Sequence, residues 1–147
     1  MKSITFTKIC IAICITAICF LPSFSTAQLI NWNYGIPVSV TETSGTTLTN
    51  HQVSIYIDTQ TPIAAGQMNT DGSDIRAAED INGISLLEYW IEKGINTDST
   101  KLWVKLNSLP ASSTQTIYVF YGNTSASAQS NISIFNGPHS STDSITG

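Results

Sequence analysis

The sequence predicts an all-β domain, a two-sheet antiparallel β-sandwich of jelly-roll or Ig-like connectivity. Three observations lead there. Apolar residues recur with a period of two; they do so in five runs no longer than eight residues, rich in β-branched and aromatic side chains; and turn residues separate the runs. Ile36 to Thr43 alternates through Ile36, Val38 and Val40, and His51 to Asp58 through Val53, Ile55 and Ile57. Leu86 to Glu92 sets Leu87, Tyr89 and Ile91 against Glu88, Trp90 and Glu92. Lys101 to Asn107 sets Leu102, Val104 and Leu106 against Trp103 and Lys105, and Thr114 to Tyr121 sets Ile117, Val119 and Tyr121 against Tyr118 and Phe120. Shorter strands are expected at Asp74 to Ala78 and at Ile132 to Phe135. Two stacked sheets bury one face of each strand with the fewest residues. A small closed β-barrel is the alternative.

One place invites a helix. Thr61-Pro62 puts a capping hydroxyl before a proline at the first helical position, and Gly66 closes the turn after Ile63-Ala64-Ala65. That predicts a single helical turn crossing between the sheets. The Asn82-Gly83 turn sets the register of the next hairpin. A two-residue loop would bring Arg76 opposite Tyr89. A loop of three or five residues changes the parity and puts Arg76 on the face of Glu88, Trp90 and Glu92. The odd loop is expected, because Asp80-Ile81-Asn82-Gly83 is long for a tight turn, and because a guanidinium gains more from Glu92 and the Trp90 face than from an apolar strip.

The 147 residues are not all of one kind. The first 27 hold all three cysteines, two of the six basic residues and none of the ten acids. Lys2 and Lys8, the apolar run Ile9 to Leu21, and Ser25-Thr26-Ala27 make the three parts of a secretory signal peptide over residues 1–27. The apolar run is too short for a spanning helix, which needs about 20 residues, and each cysteine follows Ile, which argues against lipid anchoring. After cleavage, four basic residues face ten acids, a formal charge of −6, and no cysteine remains. A disulfide framework, a cysteine zinc site and a thiol enzyme are excluded. So is a nucleic-acid binder, which needs a basic stripe. The expected organisation is a sandwich over 28–122, followed over 123–147 by a Ser/Thr/Asn-rich linker or the start of a further module. The expected location is secreted or in the cell envelope, with no membrane span after signal cleavage.

Four groups of residues could carry chemistry. Glu88 and Glu92 flank Trp90, but four strand residues separate them by roughly 13 Å, beyond the roughly 5–9.5 Å between working glycosidase carboxyls. Asp71, Asp74 and Asp80 lie in a loop-rich stretch with Glu79 and Asn82, the oxygen donors that structural calcium takes. The strict calcium-loop pattern fails there, and Asp and Asn also make turns by bonding their own backbone. His51 and His139 are the only histidines, and no Gly-x-Ser-x-Gly elbow or phosphate-cradling glycine loop is present. Trp90 and Trp103, with Glu92 and Arg76, could form an aromatic platform for sugar rings; the competing use of such side chains is core packing.

The order and spacing of Asp71-Gly72-Ser73-Asp74-Ile75-Arg76, Leu86-Leu87-Glu88-Tyr89-Trp90-Ile91-Glu92, Leu102-Trp103-Val104-Lys105-Leu106 and Thr116-Ile117-Tyr118-Val119-Phe120-Tyr121-Gly122-Asn123 resemble the bacterial secreted domain-of-unknown-function family 2341. The resemblance runs from about Trp32 to Asn123. It departs at Gly35, where the family usually carries a basic residue, and at Glu88, where it often carries Pro. It implies an exported module that sits beside lectin-like or laminin-G-like sandwiches or other envelope modules, and the family carries no assigned reaction. With no catalytic constellation in the residues, the expected function is non-catalytic, a spacer or support for a downstream module, which could be lectin-like. The alternative is a carbohydrate-binding module that takes a polysaccharide through exposed aromatics. No cofactor is expected beyond that calcium.

Overall fold

The computed structural model describes residues 29–136. Seven strands form two antiparallel sheets: β1 (Tyr34–Thr41), β2 (Leu48–Ile57), β3 (Arg76–Ala78), β4 (Leu86–Leu87), β5 (Tyr89–Lys93), β6 (Thr100–Leu109) and β7 (Thr114–Tyr121). The four-stranded sheet runs β1-β7-β3-β4 and the three-stranded sheet β2-β6-β5. Neither sheet closes on itself, so the sandwich stands and the barrel does not. The alternation explains the packing. Ile55, Leu102, Val104 and Leu106 from one sheet meet Ala77, Leu87, Ile117 and Val119 from the other in one buried cluster.

A single helical turn, α1 (Gln60–Ala64), joins β2 to β3 and so crosses between the sheets. Its cap differs from the sequence expectation. The turn begins before Thr61, and the Thr61 amide donates to Asp58 Oδ1 at 3.0 Å. Thr59, at the N-cap position, has no capping bond. Its hydroxyl instead meets that of Thr100 at 2.6 Å and accepts from the Asn96 amide, which fastens the β5–β6 loop.

The β3–β4 hairpin has the odd loop. Ala77 faces Leu87, Ala78 faces Leu86, and the Glu79 amide donates to the Ser85 carbonyl at 2.9 Å, closing a loop over residues 80–84. Asp80 organises it by accepting from the amides of Asn82, Ile84 and Ser85. The strand expected over Leu86 to Glu92 is two strands. Leu87 pairs in the four-stranded sheet and Tyr89 in the other, so the chain changes sheet at Glu88.

Ile132–Phe135, expected as a strand, is a 3₁₀ turn capped by Asn131, whose side chain accepts from the Ser133 amide. The free edge of β5 explains this. Residues 123–136 run back along that edge as a strap. The Asn131 amide donates to the Tyr89 carbonyl and the Ile91 amide to Ser130 Oγ, each within 2.9 Å. The turn then folds over the three-stranded sheet and buries Ile134. Over this stretch the expected linker is part of the sandwich. The expected signal peptide and the remainder of the expected linker lie outside the described residues, among which no helix is long and apolar enough to cross a membrane.

Candidate functional site

The outer face of the three-stranded sheet brings together Trp90, Trp103 and Glu92. The two indoles are directly opposed across β5 and β6. A register shift between Ile91 and Lys93 makes Glu92 the extra residue of a β-bulge and re-aims its carboxylate. Glu92 Oε2 accepts from Trp103 Nε1 at 2.6 Å and pairs with Lys101 Nζ at 2.7 Å. The ammonium also lies 4.7 Å from the centre of the Trp103 ring. The Lys101 hydrogen bond, then that from Trp103, holds the Glu92 carboxyl below its ordinary range. Neither indole is an open platform. Phe135 from the strap packs perpendicular to Trp90 at 5.9 Å and to Trp103 at 5.2 Å between ring centres, and both are half-buried. The open aromatic of this face is Tyr56, 61 % exposed and opposite Lys101.

Arg76 is elsewhere. The odd loop was expected to aim it at Glu92 and Trp90, but the change of sheet at Glu88 takes those residues away. Arg76 is 5 % exposed. Its Nη1 donates to the carbonyls of Ser73 at 3.1 Å and Ile75 at 2.5 Å, and its Nη2 to the Ser127 carbonyl at 2.8 Å. The guanidinium lies 5.1 Å from the centre of the Trp32 ring. Tyr89 crosses from the other sheet to donate its hydroxyl to the Ile75 carbonyl, and burial raises the pKa of that phenol. This centre ties the strap, β3 and the segment before β1 together.

The three aspartates are not gathered around a cation site. Among the described residues no group of three His, Cys, Asp or Glu side chains could hold a metal ion. Asp71 accepts from the Ser73 amide, and Asp80 organises its own loop. Asp74 is fully buried and accepts from the amides of Asn69 at 3.0 Å and Gly122 at 2.8 Å. Asp71 and Asp80 are turn-forming carboxylates, and Asp74 ties its loop to the end of β7.

The residue that sequence reading missed is Glu42. It is 4 % exposed, and it accepts from the amides of Gly45 at 3.0 Å and Ser112 at 2.7 Å. It therefore fastens the β1–β2 loop to the β6–β7 turn, where Ser112 holds a φ of 53°. Its parity, continuing Ile36, Val38 and Val40 inward, was the available signal. Hydrogen bonds from Ser44, then from the Ser112 backbone, pull its pKa from 4.5 to about 2. Asp58, Asp71, Asp80 and Glu92 are shifted the same way. A lowered folded-state pKa adds stability above the unfolded value, which is lost as pH falls through the folded one. The urea midpoint should therefore hold from neutral pH to about 5 and fall between about 4.5 and 2. In Glu42→Gln it should start lower and fall less steeply; parallel profiles would show that Glu42 does not drive the loss.

Residues 71–136 match the model of one family. The family is described as Domain of unknown function (DUF2341), and the match marks this stretch as part of a DUF2341 domain. The matched stretch holds β3 to β7 and the strap. β1 and β2, which complete the two sheets by pairing with β7 and β6, precede it. The DUF2341 match thus reaches past Asn123 at one end and stops short of Trp32 at the other. No curated protein and no solved structure matches the chain.

Proposed function

We propose that the chain is a non-catalytic, exported β-sandwich module that supports a neighbouring module of a secreted or envelope protein. One observation carries this reading: the side chains best suited to binding or catalysis are already occupied by the protein itself. Arg76 is bound to three carbonyls, Glu92 to Lys101 and Trp103, and Asp74 to two amides. Among the described residues every buried side-chain nitrogen and oxygen has a partner. Export rests on the three-part leader of Met1 to Ala27.

A second reading is favoured by one feature. Tyr56, Trp103 and Trp90 lie on one face of three adjacent strands, and Tyr56 is open. Tyr56 could stack on a polysaccharide there, with the indoles open to it only where Phe135 leaves them uncovered. Tryptophan fluorescence separates the two. A support module should show weak acrylamide quenching and no emission shift with soluble polysaccharides. A saturable shift that protects the indoles would overturn it in favour of glycan binding.

A further inference from the structure

A cleft of about 490 Å³ opens between the sheets at the β6–β7 turn, away from both clusters described above. We propose that it binds a cation rich in N–H donors, a guanidinium or alkylammonium group. Its lining carries one formal charge, Glu79, with the amides and hydroxyls of Asn107, Gln115, Ser108 and Thr114 set in a surface that is apolar for its larger part, the Pro110 wall included. Asn107 Nδ2 donates to Glu79 Oε1 at 3.0 Å. This orients the carboxylate and leaves Glu79 Oε2 and the Asn107 carbonyl oxygen as acceptors.

The alternatives fit less well. An anion meets a carboxylate with no cation in the lining. An apolar ligand would cover the Glu79 carboxylate without giving it a counter-charge. A sugar ring finds no aromatic face to stack on. A cationic side chain finds a counter-charge, carbonyl and hydroxyl acceptors, and Pro110 against its methylene stem.

The wall is also preorganised. Ser113 Oγ donates to the Pro110 carbonyl at 2.7 Å, the Ala111 amide to Thr47 Oγ1 at 3.2 Å, and the Ser112 amide to Glu42 at 2.7 Å. Glu42 places a second negative charge behind that wall. A fixed wall lowers the ordering cost of binding.

The test is an amide-resolved NMR titration of the exported chain at low salt. The probes are argininamide, a Gly-Arg-Gly peptide, and a Gly-citrulline-Gly peptide that keeps the shape without the charge. Saturable shifts should cluster at Asn107, Ser108, Thr114 and Gln115 with both cations and be absent with the citrulline peptide. Glu79→Gln should weaken binding at least fivefold, Gln115→Ala should weaken it less, and Glu88→Gln, an exposed carboxylate paired with Lys105, should leave it unchanged. Tighter binding of the peptide would identify a basic partner segment as the source; equal binding would identify a free small cation. Shifts that scatter over all surface acids, match with citrulline, or survive Glu79→Gln would overturn the proposal.

Discussion

Replacing Arg76 with methionine is expected to lower stability by about 3 kcal/mol and the melting temperature by about 12–20 °C. Methionine keeps much of the volume of the stem and removes every donor. The carbonyls of Ser73, Ile75 and Ser127 would then lose their guanidinium donors in a centre where arginine itself is 5 % exposed. An unmade bond to a buried polar group costs more than the bond contributes when present. Arg76→Lys should recover only part of the loss, because one ammonium cannot spread donors over three carbonyls as a planar fork does. The two ion pairs among the described residues both use lysine, so Arg76 acts through hydrogen bonds and through its contact with Trp32. The loss measured calorimetrically should therefore persist in molar salt, where surface pairs are screened. A melting temperature within a few degrees of the parent would refute the assignment.

The contrast between Arg76 and Leu102 shows how much was legible in the sequence. Leu102, Val104 and Leu106 alternate in a strand of uniform pattern, and period and burial agree residue by residue. The parity of the β3–β4 loop was equally readable, since it follows from the length of the Asp80 turn. The change of sheet at Glu88 was not. Leu86 to Glu92 reads as one continuous strand, and nothing in its alternation marks where the partner changes. Arg76 lost its expected neighbours for that reason alone. The strap was hidden differently. Asn123 to Asn136 has the composition of a linker, and its attachment depends on backbone bonds to the free edge of β5 that composition cannot express. The three aspartates do not come together, which was not legible because a carboxylate that bonds nearby amides and one that holds an ion look the same in sequence.

The strap gives the second large effect, and here neighbouring residues make the comparison. Ile134 is 2 % exposed and Ile132 is 60 % exposed, two positions apart in one 3₁₀ turn. Ile134→Ala should cost about 2–4 kcal/mol, because it removes buried methyl groups and leaves a cavity between the strap and the sandwich. Ile132→Ala should stay within about 0.5 kcal/mol. The pair holds hydrophobicity, turn propensity and chain position nearly constant, so the difference in urea midpoint isolates burial. Phe135→Ala adds a spectroscopic reading of the same docking. It removes the ring that packs on both Trp90 and Trp103, and their emission should move to the red with increased acrylamide quenching. If Ile134→Ala and Ile132→Ala proved equally mild, the strap would contribute nothing to the sandwich and residues 123–136 would behave as the linker their composition suggests. If Ile134→Ala is costly, the cohesive unit includes the strap as far as Asn136, where the family match also ends.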